Sequence, residues 1–529
     1  MEKVKRTIPI VLVLLLITGL CLHFSLQKSG MFIDEIYTYG LSNSEYTPFV
    51  TDIYDGEMVD ETLTQEQFRD YLTVQEGEQF HFGSVYYNQT QDVHPPLHYW
   101  LIHLVSSFVP NSYSKWIGLS INYVFLMATL WVLYCLTDKL FYSKKLAGIT
   151  AAIYGLSTLA LSTMLMIRMY MVLTFFTVLL AYLIADMLRG KTSVWIYALV
   201  ALTIFLGLMT QYYYVFYAFF VCAAYDIYLL IKKQYRIFWA FSISALAGVA
   251  LLLIAYPACL QHLFADKLVS GGSMIDSIKN PSDWPRRFST YLYSLNYEAR
   301  WMIRIGKAAV VMALLRFLWS GIKKQKLDWN FSDSLVLIIP AFFAFVLVTI
   351  ASPVIPLRYI YNLIPVFALA VAFLLSLALR GLDNEWLQCG EEIATIAVIA
   401  IMAATAIQVQ PDFLYPEQKS MNALASKYGE SPCVYFDDNY VAPITNDMLQ
   451  LIQYKDVFVA NDASSEKLHA YLANHSENEY VIVYIDNGTS EIWSSRYDEN
   501  EVLKSFEAAT GYANAQELYE GAWLLAIGR

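Results

Sequence analysis

Charge is scarce in this chain: of 529 residues only 15% are Asp, Glu, Lys or Arg, against about 25% in an ordinary soluble domain. With 57% hydrophobic residues, it cannot cover all its apolar side chains with polar ones, which excludes a wholly soluble globule. Cysteine is scarce too. Cys21, Cys135, Cys222, Cys259, Cys389 and Cys433 are scattered, mostly within apolar runs and with no CxxC pair, so neither a disulfide framework nor a zinc site follows. No Gly-rich loop follows a strand-like run, which leaves nucleotide binding without support. There is no basic stripe, and a formal charge of −11 repels a polyanion, so a nucleic-acid binder is disfavoured. Sequence repeats and low-complexity tracts are also lacking.

What is present is a series of apolar runs from Ile8 to Val409, each long enough for a hydrocarbon core of roughly 30 Å. Eleven spans are expected: Ile8 to Leu26, Ser114 to Leu136, Leu146 to Met166, Met169 to Leu188, Val194 to Met209, Tyr212 to Ile231, Ile237 to Ala258, Ile305 to Ile322, Ser334 to Ala351, Tyr359 to Leu379 and Ile393 to Val409. The first, after Lys3, Lys5 and Arg6, has no small-residue cleavage site, and Leu20 stands where a lipobox before Cys21 needs Gly or Ala. It reads as a retained signal anchor. Lys3/Lys5/Arg6, Lys139/Lys144/Lys145, Arg189/Lys191, Lys232/Lys233/Arg236 and Lys323/Lys324/Lys326 then share one side, which the inside-positive rule makes the cytoplasm. A further apolar stretch, His94 to Val109, would invert every later loop if it crossed, so it is expected to be a shallow or juxtamembrane helix.

The low average charge hides a partition. Lys28 to Asp92 holds 13 acidic against 2 basic residues, and Gln410 to Arg529 holds 19 against 7. These segments carry −11 and −12 and leave +12 on the rest. The expected architecture is an all-α polytopic membrane domain over 1–409, interrupted by an acidic outer loop at 28–92, and a small α/β extracytoplasmic domain over 410–529. In that domain, strand-like runs (Cys433 to Phe436, Asp456 to Ala460, Tyr480 to Ile485, Ala522 to Ile527) alternate with helical ones (Ser465 to Ala473, Glu499 to Ala509).

Five short constellations could carry chemistry. Asp34-Glu35 follows the first span among apolar and aromatic neighbours, where partial desolvation raises a carboxylate's proton affinity and suits it to accept a hydroxyl proton; a solvated acidic pair is the plainer reading. Asp92-Val93-His94-Pro95-Pro96-Leu97 closes the same loop, its double proline starting the next helix and holding Asp92 and His94 at a defined turn. Arg168-Met169-Tyr170 and Arg358-Tyr359 lie at span junctions, where a guanidinium near hydrocarbon seeks an anion or snorkels to headgroups; two such pairs would suit a shared phosphate clamp. The outer loop from Cys259 to Arg304 adds Arg286, Arg287, Arg300 and Arg304, an excess that argues for an anionic ligand. Gln211 and Tyr212, in Thr210-Gln211-Tyr212-Tyr213-Tyr214, offer either an interfacial aromatic belt or a sugar-stacking surface.

Taken in order, these pieces resemble the GT-C superfamily of polyprenyl-phosphate-sugar-dependent glycosyltransferases, in its protein O-mannosyltransferase and aminoarabinose-transferase branch. The likeness runs from about Ile8 to Leu379, and it departs at Gln211-Tyr212, where many bacterial relatives carry His-Tyr. The resemblance implies a membrane enzyme moving a hexose such as mannose from a polyprenyl-phosphate carrier to a hydroxyl acceptor outside the cell membrane, with inversion. It implies Asp34 and Glu35 as catalytic carboxylates, Arg168, Tyr170, Arg358 and Tyr359 for the donor phosphate, and Asp92, His94, Gln211 and Tyr212 for substrate. The activated donor supplies the energy, so no cofactor is required. Asp34, Glu35, Asp92 and His94 could ligate a divalent metal, although the branch resembled does not call for one. The rival readings are a transporter or lipid flippase, which inverted repeats and midplane charges would mark, and a non-catalytic envelope receptor.

Overall fold

The computed structural model describes residues 2–264, 274–322, 332–352, 356–379, 385–437, 441–485, 499–512, 515–519 and 524–528. In chain order, α1 (Glu2–Gln27) is followed by short elements: α2 (Ile33–Asn43), β1 (Thr62–Thr64), α3 (Gln65–Leu72), α4 (Phe82–Gln91) and α5 (Leu97–Ser106). The helical body comprises α6 (Lys115–Phe141), α7 (Lys144–Gly155), α8 (Thr158–Leu165), α9 (Tyr170–Leu188), α10 (Val194–Thr210), α11 (Tyr214–Ile231), α12 (Tyr235–Ala255), α13 (Cys259–Phe264), α14 (Met274–Lys279), α15 (Trp284–Glu298), α16 (Arg300–Ile322) and α17 (Ser332–Ala351). A 3-10 turn (Leu357–Leu363) leads into α18 (Ile364–Leu379), and α19 (Glu385–Gln408) ends the body. The remainder alternates: α20 (Pro416–Lys427), β2 (Cys433–Phe436), α21 (Val441–Leu451), β3 (Asp456–Ala460), α22 (Glu466–Asn474), β4 (Tyr480–Ile485), α23 (Glu499–Thr510), β5 (Ala515–Tyr519) and β6 (Leu524–Gly528).

Among the described residues, eight helices are long and apolar enough to cross a bilayer, α7 and α8 are together apolar enough but bent by 58° at the break between them, and α10 and Ile396–Gln408 are shorter apolar helices. These segments coincide with the eleven expected spans, so the protein is a multi-pass membrane protein. Of the basic clusters used for orientation, Lys323, Lys324 and Lys326 lie outside the described residues. The stretch expected to be juxtamembrane is α5, whose ten residues reach only about 15 Å as a helix and cannot span.

The chain folds as two compact units, Met1–Ser25 with Leu119–Asp412, and Leu26–Gly118 with Phe413–Arg529. In the first, the membrane unit, α9 is the most enclosed of the eight long apolar helices among the described residues: 78% of its apolar window is buried within protein, against 11% for α16. It packs against α10, α11, α17, α18 and the 3-10 turn. Side chains at its start are thereby held by protein instead of lipid. Close helix approach uses small residues: a Cβ on Gly248 of α12 would meet the Ala201 carbonyl of α10 at 2.6 Å.

The second unit joins two regions that are distant in sequence. The acidic loop and the C-terminal domain, expected as separate regions 28–92 and 410–529, form one body. Their shared feature is a six-stranded sheet of order β1-β3-β2-β4-β6-β5, whose edge strand β1 comes from the loop and pairs antiparallel with β3, Leu63 opposite Val457. β3, β2 and β4 run parallel and are almost wholly buried, as expected of a parallel core covered by helices. Val434, Phe458, Val483, Leu468 and Phe506 fill that core. A second tie joins the loop's start to α20: Gln418 Oε1 accepts from Met31 N–H at 2.9 Å and its Nε2 donates to Met31 O at 3.0 Å. Gly30 permits it, since a Cβ there would strike Gln418 Oε1 at 2.0 Å. Such pairings join segments nearly four hundred residues apart and leave no trace in local composition.

Candidate active site

The structure divides the Asp34-Glu35 pair. Asp34 is half-buried at the start of α2. Glu35 is fully buried, and its Oε2 accepts from Lys28 Nζ at 3.0 Å and from the Phe32 N–H at 2.7 Å. The second contact satisfies a donor that a helix start leaves orphaned. Lys28 is equally buried; it also donates to Phe413 O at 2.7 Å and lies over the Tyr415 ring. Burial pulls the Lys28 ammonium below its ordinary range, with Glu35 opposing that shift. Glu35 thus holds the chain entering α2 against the chain after 412.

Asp92 joins Asp34 within the same unit. The Asp92 Oδ2 and His94 Nδ1 lie 2.8 Å apart, immediately before the two prolines and the start of α5. Tyr37, one turn along α2, interacts with the charges of both Asp34 and Asp92, and its hydroxyl bonds Thr445 of α21. Burial, then the two carboxylates, raises the Tyr37 phenol above its ordinary range. The two loop motifs therefore converge on one phenol, and the C-terminal domain contributes a residue there. Thr445 carries no sequence signal, since a lone Thr on an amphipathic helix reads as packing. Among the described residues, no group of three or more His, Cys, Asp or Glu side chains is placed to hold one metal ion.

The membrane unit gathers the other motifs. Asn122 Nδ2 donates to Met164 O at 3.0 Å and Met166 O at 2.6 Å, fixing the turn between α8 and α9 on which Arg168 sits, 3% exposed. Tyr170 opens α9 and packs edge-on to Tyr361 at 6.1 Å between ring centroids. Asn362 donates to Thr177 Oγ1 at 3.2 Å, which fastens the 3-10 turn to α9. The Arg168-Met169-Tyr170 and Arg358-Tyr359 motifs are brought together this way. Arg358 and Tyr359 are half-buried, with the guanidinium 5.9 Å from the neighbouring ring centroid.

Gln211 and Tyr212 arrive beside them. Tyr213 packs edge-on to Tyr359 at 4.9 Å and bonds Ser352, while Tyr212 turns to His262 of α13, its hydroxyl 3.0 Å from Nδ1. An imidazole thus reaches this tyrosine from another helix, although residue 211 is Gln. Sequence reading passed over His262 because nothing local links it to Tyr212.

Two of the loop arginines have an acidic partner on their own helix start. Arg286 and Arg287 both pair with Asp283, at 2.6 and 2.7 Å, and these bonds hold the Asp283 carboxyl down at about 2. Arg287 also donates to Ser352 O, and Tyr291 donates to Ser352 Oγ at 3.4 Å and Pro356 O at 3.3 Å. Arg287 and Tyr291 thereby staple α15 to the chain leading into Arg358. Beside this staple lies an apolar cavity of about 380 Å³ between α15, α16, α17 and α18, lined by Phe288, Leu295, Met302, Phe342, Phe345 and Phe367. Tyr291 contacts its wall through Phe345, 6.3 Å between centroids.

The crystal structure of ArnT from Cupriavidus metallidurans bound to undecaprenyl phosphate matches 98% of this chain and 98% of its own length, with a TM-score of 0.50 and 11% identity. Archaeal oligosaccharyltransferase AglB from Archaeoglobus fulgidus, in complex with an inhibitory peptide and a dolichol-phosphate, matches 97% of this chain and 73% of its own, with a TM-score of 0.46 and 13% identity. Residues 93–260 match the family described as dolichyl-phosphate-mannose-protein mannosyltransferase. No curated protein matches the chain by sequence. The chain thus has the fold of this ArnT structure, and residues 93–260 are similar to the mannosyltransferase family.

Proposed function

We propose that the protein transfers a hexose, with mannose the sugar suggested by the matched segment, from a polyprenyl-phosphate carrier to a hydroxyl acceptor on the extracytoplasmic face. The observation that carries the donor assignment is the meeting of both Arg-Tyr motifs beside an apolar cavity of about 380 Å³. A cationic, phenol-rich head next to a greasy hollow suits a molecule with an anionic head and a hydrocarbon tail. Lys and Arg clustered at Lys139 to Lys145, Arg189 to Lys191 and Lys232 to Arg236 support a cytoplasmic N-terminus and an extracytoplasmic second unit.

In this reading, the Asp34 carboxylate takes the acceptor hydroxyl proton as that oxygen attacks the anomeric carbon. The bond from that carbon to the phosphate oxygen breaks, its electron pair staying on the lipid phosphate. Arg168 and Arg358 stabilise the charge that develops there. One displacement with one base inverts the anomeric centre. Glu35 holds the segment bearing Asp34, Asp92 orients His94 toward substrate, and Tyr170, Tyr359, Gln211 and Tyr212 line the donor. No step needs a metal or an organic cofactor. The test is to incubate the purified protein with a panel of polyprenyl-phosphate sugars and an acceptor mixture. Consumption of a donor with release of lipid phosphate is expected, and inertness toward the whole panel would refute the reading.

A further inference from the structure

Glu298, the last residue of α15, has no part in this scheme, yet it belongs to the same neighbourhood. Its Oε2 is buried and has no hydrogen-bond partner among the described residues. Asp412, just beyond α19, is its electrostatic neighbour. Glu298, Asp412 and Arg358 all interact with one phenol, that of Tyr361, against which Tyr170 packs at 6.1 Å. A buried carboxyl oxygen left unsatisfied costs stability unless a ligand completes it. An ionised carboxylate would repel a phosphate there, whereas a neutral acid would donate to it.

We propose that Glu298 is a further donor-binding residue, holding the lipid phosphate through an O–H···O hydrogen bond from its neutral carboxyl while Arg358 supplies the positive charge. This rests on the lipid-phosphate reading of the donor. Burial, and then the charge of Asp412, pushes the Glu298 carboxyl up to about 8, so it is mainly neutral at pH 7. Asp412 is itself raised by burial. The Tyr361 phenol on the 3-10 turn interacts with Glu298, and Arg358 on that turn and Tyr170 on α9 interact with the same phenol. On its own helix are Tyr291, raised by burial, and Arg287, paired with Asp283. α16 begins with Arg300 and carries Arg304 over Trp301, while α17 leads into the uncharged Ser352. As pH rises through about 8, Glu298 loses its proton and becomes a repelling charge, so donor affinity falls.

The experiment measures the affinity of the full-length protein in detergent for a polyprenyl monophosphate, and the donor KM and kcat, between pH 7 and pH 9.5. The probe's own second ionisation, near pH 6, lies below this window. Wild type is expected to lose about tenfold in affinity across it, with kcat changing little, as loss of one charge-assisted hydrogen bond implies. Glu298→Gln keeps a neutral donor of the same shape and is expected to bind within about threefold of wild type at pH 7 with no alkaline loss. Glu298→Ala is expected to bind about tenfold more weakly at pH 7. An alkaline loss unchanged in Glu298→Gln would overturn the proposal, as would wild-type affinity in Glu298→Ala; should the alanine variant misfold, the isosteric one decides. Wild-type protein that neither binds the probe nor consumes any lipid-linked sugar would instead refute the donor reading and this inference with it.

Discussion

The two units bury charge in opposite ways. In the unit built from the first loop and the C-terminal domain, Lys28 and Glu35 form a closed pair: each side chain is fully buried and each is satisfied inside the protein, by the other, by Phe413 O and by Phe32 N–H. In the membrane unit, Glu298 keeps a buried oxygen that no described residue satisfies. Desolvation acts on both. The closed pair spends its charge on architecture, whereas the open carboxyl retains capacity for a ligand. By that criterion Glu35 belongs to the architecture, and the proposed reaction leaves the proton transfer to Asp34.

The sharpest test of this contrast is Asp34→Asn, which should lower kcat by about 10²–10⁴-fold, the usual worth of a general base, while thermal unfolding in detergent stays as in wild type. A comparable collapse of kcat from Glu35→Gln with unchanged stability would reverse the assignment. Next, Arg168→Ala and Arg358→Ala should each lower kcat/KM for the donor by about 10²–10³-fold, as lost charge stabilisation does elsewhere; Arg358→Lys should recover only part, because a point charge lacks the planar fork. Unaltered donor dependence in both would dissolve the clamp. Lys28→Met should cost about 3–5 kcal/mol of stability by leaving Glu35 buried without its partner, read as a lower midpoint of denaturant unfolding, and Lys28→Met with Glu35→Leu should regain much of it. The smallest effect should come from His262→Ala, which removes one hydrogen bond worth about 1 kcal/mol and should raise the donor KM about fivefold with kcat nearly unchanged. No change in KM would remove His262 from any part in placing Tyr212 and Tyr213.

Much of the fold is legible along the chain because a bilayer imposes length and polarity on each crossing, independently of what the helices pack against. The central strands β2, β3 and β4 are equally legible, being continuous apolar runs between polar turns. β1 was not, because Thr62-Leu63-Thr64 is only three residues long and becomes a strand through β3. The bend between α7 and α8 was likewise hidden inside one apolar run. Among candidate site residues, those with unusual chemistry for their place stood out: an acid after a span, arginines at junctions, a double proline. Tyr37, Thr445, His262 and Glu298 did not, since each is ordinary for its own segment and gains meaning only from a neighbour supplied by another.

By itself, the sequence determined that the chain crosses a bilayer repeatedly, that its acidic and basic parts are segregated, and which short motifs carry carboxylates and guanidiniums, since hydrophobic length and charge are properties of consecutive residues. Only the tertiary structure decided that the first loop and the C-terminal domain are one body, that Glu35 is bound to Lys28, and that Tyr170, Tyr213 and Arg358 share one neighbourhood. Those outcomes depend on contacts between distant segments, whose energies reside in packing and desolvation and are absent from any local stretch of chain.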